Sequence, residues 1–212
     1  LSRLDAAVES LTQAQTKLKA YRASILKAAV EGRLVPTEAE LAKAEGRSYE
    51  PADKLLERIL VERRKTGQPV HPSLVGAPAL PEGWCWASFD QISDVLLGRQ
   101  RAPQYLTGTC SKPYLRVANV KDDVLDFSDI EEMDFDEAHF AKYQLESGDI
   151  LVSEGQSPHL VGQSAIYRGG IDSLCFQKTL HRVRPIPGGP SSEFIQTTLR
   201  AHVKSGYFKS LA

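Results

Sequence analysis

The sequence predicts an α+β protein in which a long N-terminal helical arm of the coiled-coil type precedes a mainly β domain. Two observations carry this prediction. Apolar residues near the N-terminus repeat at helical spacing, whereas after position 80 short apolar or alternating runs are separated by turn residues. Prolines at positions 69, 72 and 78 fall between these two patterns. The predicted division is therefore a helical arm over 1–67, a proline-rich linker over 68–80 and a β domain over 81–212.

The arm begins with a seven-residue apolar repeat formed by Leu4, Leu11, Leu18 and Ile25. Ser2 and the residue three positions later form a capping-box pattern, so a helix of about 28 residues, roughly 42 Å long, should start here. The narrow seam favours a coiled coil with another long helix, either in this chain or in a second copy. A bundle helix packed on its own domain is the alternative.

Two shorter helices should follow this arm. Thr37 and Glu40 make a second capping box, and Gly46 is placed to end that helix. Ser48 and Pro51 begin a third helix, which has a leucine- and isoleucine-rich face over 55–60.

The region after position 80 contains four strand candidates and one helix candidate. The strand candidates are "PYLRVANV" at 113–120, "GDILVS" at 148–153, "GQSAIYRG" at 162–169 and "LHRVRPI" at 180–186. Residues 193–203 have the spacing of a short helix.

Composition excludes several classes of protein. The 212 residues carry 26 basic and 27 acidic side chains, and no apolar run is long enough to span a membrane. Three widely separated cysteines lack C-x-x-C spacing, and no signal peptide is visible, so a reducing cytoplasm is predicted. The first residue is leucine, which suggests that the chain begins inside a longer protein. Charge is uneven, because residues 121–149 hold 11 acidic and 2 basic residues, whereas 150–212 hold 3 and 7.

No catalytic, metal or cofactor site is predicted. The histidines form no metal-binding motif, and no phosphate-binding or dinucleotide-binding glycine pattern is present. A hydrolase using Ser157, or a metal-dependent nuclease using the carboxylates at 122–132, is the weakest alternative, because "EGQSPH" lacks the second glycine of a nucleophile elbow. A solvated acidic loop or a protein-contact surface accounts for the carboxylates more simply.

Three loops combine side chains able to bind phosphates with side chains able to read base edges. Each loop is also bounded by a glycine or a strand candidate, so a rigid sheet should hold it. The predicted DNA-binding residues are Arg99, Gln100, Arg101 and Gln104 in the first loop, Ser153, Gln156, Ser157, His159 and Gln163 in the second, and Gln177, Lys178, His181 and Arg182 in the third.

Several segments, taken in order, resemble one known family. They are "LKAYRASILKAAVEGRLVPTE" at 18–38, "LPEGWCWASFDQI" at 80–92, Gly98, "PYLRVANV", "LESGDILVSEG" at 145–155 and "CFQKTLHRVRP" at 175–185. Together they resemble a helical spacer and one target recognition domain of the specificity (S) subunit of type I restriction-modification systems. The chain stops at "GYFKSLA", where such subunits usually continue, so the resemblance implies a recognition domain truncated at its C-terminus.

The resemblance implies a non-catalytic subunit that reads one half of a bipartite double-stranded DNA target. Its expected partners are modification (methyltransferase) subunits and restriction (translocase and nuclease) subunits, which carry out methylation and cleavage. The absence of an N-P-P-[YF] methyltransferase motif agrees with this role. The sequence leaves undecided whether two copies form a homodimer through the helical arm. A coiled-coil protein-interaction module without DNA readout remains the main alternative function.

Overall fold

A computed structural model describes residues 2–65, 79–155 and 160–211 and has the predicted α+β architecture. The helices are α1 (Arg3–Val30), α2 (Glu38–Glu45), α3 (Ala52–Lys65), α4 (Phe89–Ile92), α5 (Glu137–Tyr143), α6 (Ser192–Lys204) and α7 (Tyr207–Leu211). The strands are β1 (Ser93–Leu97), β2 (Ser111–Leu115), β3 (Glu131–Asp134), β4 (Ile150–Ser153), β5 (Ser164–Ile166), β6 (Cys175–Phe176) and β7 (Leu180–Pro185). Of the predicted linker over 68–80, residues 68–78 lie outside the described residues.

Helix α1 forms as the sequence predicts, with Ser2 and Asp5 completing the capping box. Only part of the helix packs on its own domain. The carboxy-terminal part contacts α6, and Ile25 is half-buried there. By contrast, Leu4, Leu11 and Leu18 remain 72%, 65% and 48% exposed, so most of the predicted seam is uncovered in the part of the chain described. Among the described helices, none has the length and apolarity that crossing a membrane requires.

Helix α3 packs against α4 of the β domain, and Ala39 of α2 lies close to Gly83. The Thr37 and Glu40 capping box opens α2, and Gly46 ends it in the left-handed conformation. The buried Arg63 of α3 pairs with Asp94 of β1 at 3.0 Å, which ties the helical region to the sheet.

The β domain contains two sheets. The larger has the order β1-β7-β4-β5 with antiparallel neighbours, and the smaller has the order β3-β2-β6, in which β2 and β6 are parallel. The predicted strand over 113–120 is shorter than expected, because it ends at Leu115 and a single helical turn follows at Val117–Asn119. Strands β4, β5 and β7 and helix α6 lie where the sequence predicted them.

The core lies on both faces of the larger sheet. On one face, α6 covers a cluster that contains Ile150, Val183, Ile195 and Leu199. On the other face, the two sheets share a larger cluster of Leu115, Val120, Leu145, Leu151, Ala165, Tyr167, Leu174, Phe176 and Leu180. Burial on both faces holds the larger sheet rigid, so the loops at its ends start from defined positions.

Candidate nucleic-acid interface

The three predicted loops meet at one end of the larger sheet. Strands β1 and β4 both run antiparallel to β7, so they are parallel to each other and their C-terminal ends lie beside the start of β7. The loop of residues 98–110 follows β1, the described residues 154–155 and 160–163 lie between β4 and β5, and the turn of residues 177–179 precedes β7. We name these the first loop, the second loop and the third-loop turn.

Backbone hydrogen bonds join the third-loop turn to both neighbouring loops. The Lys178 amide donates to the Arg99 carbonyl at 2.7 Å, and the Glu154 amide donates to the Thr179 carbonyl at 2.9 Å. The Gly98 amide donates to the Leu180 carbonyl at 2.9 Å. The turn is therefore the central connection among the three loops.

Two backbone features make this connection tight. A Cβ placed on Gly98 would lie 2.8 Å from the Lys178 amide nitrogen and still closer to the Gln177 carbonyl oxygen, so only glycine fits. Thr179 has a φ of 85°, which is unfavourable for a β-branched residue. Such strain persists only where surrounding contacts impose it, and it is common at functional sites.

Seven predicted residues are at least partly accessible around this junction. Gln100, Arg101, Gln104 and Lys178 are exposed, and Gln163, Gln177 and His181 are half-buried. Arg101 is oriented by two partners, since its Nε donates to the Tyr114 hydroxyl at 3.2 Å and lies 3.6 Å from a Glu131 carboxylate oxygen. Among the described residues, no carboxylate pairs with Lys178.

Three predicted residues are buried instead, which corrects their expected presentation to a ligand. Arg99, Ser153 and Arg182 are 5%, 2% and 8% exposed. Arg99 and Arg182 lie in extended backbone, where successive side chains point to opposite sides. Both arginine side chains point inward. The side chains of Gln100, which follows Arg99, and of His181, which precedes Arg182, point the other way. These three side chains therefore lie inside the domain rather than on its surface.

The buried arginines bind main-chain carbonyls. The Arg99 guanidinium donates to the Asp134 carbonyl and lies 4.0 Å from the centre of the Tyr105 ring. Arg182 donates to the carbonyls of Lys142 and Gln144, each at 3.2 Å.

Gln177 is half-buried, and its Oε1 has no hydrogen-bond partner among the residues described. The predicted residues Gln156, Ser157 and His159 lie outside the described residues.

Asp134 is a loop-organising residue that sequence reasoning missed. Its carboxylate accepts hydrogen bonds from the Thr107 amide and hydroxyl, each at 2.7 Å, from the Gly108 amide at 3.2 Å and from the Cys110 amide at 2.9 Å. The bond from the Thr107 hydroxyl contributes most to lowering the pKa of this carboxyl below its usual value. No local pattern links "EEMDFDE" to a turn more than twenty residues earlier.

The acidic stretch has internal basic partners. Asp122 pairs with Lys204 at 2.7 Å, and Asp123 pairs with Arg200 at 2.9 Å. Arg116 similarly pairs with Glu131 at 2.7 Å. Within the described ranges, no group of histidine, cysteine or carboxylate side chains is arranged to hold a metal ion. These carboxylates therefore bind other parts of the same domain.

Comparison with known proteins finds no matching family model. The Escherichia coli type I restriction enzyme EcoAI specificity subunit is 29% identical over 163 residues, covering 72% of this chain and 26% of that protein. This similarity confirms the resemblance that the motifs predicted. The chain spans about a quarter of this curated relative.

Two solved structures are also similar. The HsdS subunit from Thermoanaerobacter tengcongensis is 15% identical, with a TM-score of 0.46 over 96% of this chain and 41% of that one. A chain from a structure described as the basis of complex assembly and conformational transition of the type I R-M system is 16% identical, with a TM-score of 0.44 over 94% of this chain and 40% of that one.

Proposed function

We propose that this chain is a fragment of a type I restriction-modification specificity subunit that reads one half of a bipartite double-stranded DNA target. The observation that carries the proposal is the meeting of three predicted recognition loops at one end of the larger sheet, joined through the turn at residues 177–179. The similarity to a curated specificity subunit supports the same role. The chain itself has no catalytic part in this proposal.

The accessible side chains divide into two expected roles. Gln100 and Gln104 carry exposed amides, and an amide matches the donor and acceptor pair of adenine in the major groove. Arg101 has the fork geometry suited to guanine or phosphate, and its contacts with Tyr114 and Glu131 orient it before binding. Lys178 offers a point charge suited to phosphate.

The helical region is proposed as the scaffold. We assign residues 1–67 to the spacer arm, 68–80 to the linker and 81–212 to the recognition domain. The exposed seam of α1 offers a surface for another long helix, either in the rest of a longer subunit or in a second copy. Modification and restriction subunits are the proposed partners of the assembled complex.

The first experiment selects bound sequences from randomised duplex DNA, using this chain together with a type I modification subunit at moderate salt. A short enriched half-site is expected. Binding without enrichment would leave only an electrostatic contact with the DNA backbone, and an absence of binding would contradict the proposal.

Single variants then separate base contacts from phosphate contacts. Gln100→Ala or Gln104→Ala should cost about 1–3 kcal/mol at one base pair of the half-site and little elsewhere. Gln15→Ala, on the exposed surface of α1, is the matched control. An equal loss over all sequences would contradict base reading by that glutamine.

Lys178→Ala should instead weaken binding to every sequence. If Lys178 contacts one phosphate, the slope of the logarithm of affinity against the logarithm of salt concentration should fall in magnitude by about 1. Lys43→Ala, an exposed lysine on α2, should leave that slope unchanged.

The exposed α1 seam favours the second candidate function, a protein-interaction module without DNA readout. Apolar association through this seam should change little with salt, unlike DNA binding. Leu11→Glu should abolish any self-association measured by sedimentation without unfolding the chain, because Leu11 is 65% exposed. Loss of self-association together with intact sequence enrichment would assign the seam to assembly and the loops to DNA.

A further inference from the structure

We infer that Asp134 is a positioning residue that holds the first loop, residues 98–110, in the shape required for reading DNA. This inference rests on the proposed function, since it assigns Gln100, Arg101 and Gln104 to recognition. Asp134 itself is 9% exposed and lies at the end of β3, beneath the loop rather than on its accessible surface. It would therefore act through the loop and not by touching DNA.

The carboxylate binds the distal part of the loop through four donors. Oδ2 accepts from the Thr107 amide, the Thr107 hydroxyl and the Gly108 amide, while Oδ1 accepts from the Cys110 amide. This one carboxylate therefore accepts four hydrogen bonds from a single turn, three of them on Oδ2. Bonds to a charged acceptor are also stronger than neutral ones.

The main chain of the same residue binds the proximal part of the loop. Its carbonyl accepts from the Arg99 guanidinium, and that guanidinium lies against the Tyr105 ring. The three accessible reading residues fall between Arg99 and Thr107, which are the two points that Asp134 holds. Asp134 thus fixes both ends of the segment that presents them.

Besides Asp134, the distal turn is held by the Thr107 hydroxyl, which accepts from the Thr109 amide at 3.3 Å, and by the Phe135 amide, which donates to the Cys110 carbonyl at 2.9 Å. These contacts leave the amides of Thr107, Gly108 and Cys110 to the Asp134 carboxylate. Thr107, Gly108 and Cys110 are exposed, and Gly108 has a φ of 78° with open space around it. If the carboxylate were lost, these amides would bind water at little cost. The expected effect is therefore a loosened loop on an otherwise folded domain.

Asp134→Asn tests this role, because the amide keeps the shape of the side chain but replaces one acceptor with a donor facing other donors. Glu132→Gln is the matched control, an exposed carboxylate on the same strand that binds the Ser111 hydroxyl at 2.6 Å. Amide hydrogen exchange is measured at residues 107, 108 and 110, together with the half-site enrichment described above.

In Asp134→Asn, exchange at these amides should rise about 10- to 100-fold, and enrichment should fall at the base pairs read by the first loop. The control should change neither quantity. Unchanged exchange would overturn the inference. Faster exchange with unchanged enrichment would overturn the link to recognition while keeping the structural contact.

Failure of the proposed function gives a different result. If the unmodified chain with its modification subunit enriches no sequence, the proposed function and the recognition role of Asp134 are both contradicted. Hydrogen exchange then still tests whether Asp134 orders the loop. Should Asp134→Asn fail to fold, Thr107→Val removes only one of the four donors and should give a smaller increase in exchange at the same turn.

Discussion

Replacing Gly98 with alanine is expected to destabilise the end of the larger sheet by about 2–4 kcal/mol. The new Cβ would lie 2.8 Å from the Lys178 amide nitrogen, well inside the roughly 3.5–4.0 Å of ordinary van der Waals contact. The three closest atoms, which belong to Gln177 and Lys178, are all backbone atoms, so a side-chain rotation cannot relieve the overlap. The third-loop turn must move away from the first loop.

The expected loss of stability follows from what this movement breaks. It stretches the hydrogen bonds from Gly98 to Leu180 and from Lys178 to Arg99, now 2.9 and 2.7 Å long. Each is worth about 0.5–1.5 kcal/mol net, and overpacking of a tight site costs about 1–3 kcal/mol. The two costs overlap, because the shift that relieves the clash is the one that breaks the bonds.

Thermal and urea unfolding followed by circular dichroism measure this effect. For a chain of this size, about 3 kcal/mol corresponds to a fall in Tm of about 6–12 °C. Gly108→Ala is the comparison, because its Cβ would meet open space and only its φ of 78° is unfavourable, at about 1–2 kcal/mol. If Gly98→Ala costs no more than Gly108→Ala, the first loop and the third-loop turn are not in the close contact described.

Three further outcomes are expected. Arg184→Met should lower the free energy of unfolding by about 2–4 kcal/mol, measured in urea, because it leaves the buried Asp149 carboxylate without its partner at 2.6 Å; a change under about 0.5 kcal/mol would contradict this. In the folded chain a maleimide should label the exposed Cys110 and spare Cys175, whose pKa burial raises to about 12, and mass spectrometry with and without denaturant checks the order. Because the folded pKa of Asp134 lies below its usual value of 3.8, its contribution to stability is present above that value and is lost as the pH falls through the lower folded pKa. Urea unfolding from pH 7 downward measures the free energy of unfolding of the unmodified chain and of Asp134→Asn. The difference between the two should therefore become smaller only in acid. A difference that stays constant would contradict the link between protonation of Asp134 and stability.

Local sequence patterns were enough for the starts of α1 and α2, whereas α5 and α7 were not predicted. The capping boxes of Ser2 with Asp5 and of Thr37 with Glu40 form as predicted, since each joins residues three apart. Strands β4, β5 and β7 were also located from their apolar runs. Strands β1, β3 and β6 were missed, and β6 has only two residues, too few to produce a periodic signal.

The candidate interface was predicted only as a set of loops. Arg99 and Arg101 look equivalent in "GRQRAPQY", yet Arg99 binds a buried carbonyl and Arg101 is exposed. Their environments differ because Arg99 pairs with Gln177 beside the smaller sheet, a contact between positions 78 residues apart. No local pattern distinguishes the two arginines.

The sequence by itself determined the long capped helix, the α+β class and the three polar loops, because these depend on spacing within a few residues. The tertiary structure decided which side chains remain accessible and that Asp134 organises a turn 24 to 27 residues earlier. Those features depend on which distant strands pair and which face each strand buries. Such choices arise from closing the whole chain around one core, and they are not encoded in any single segment.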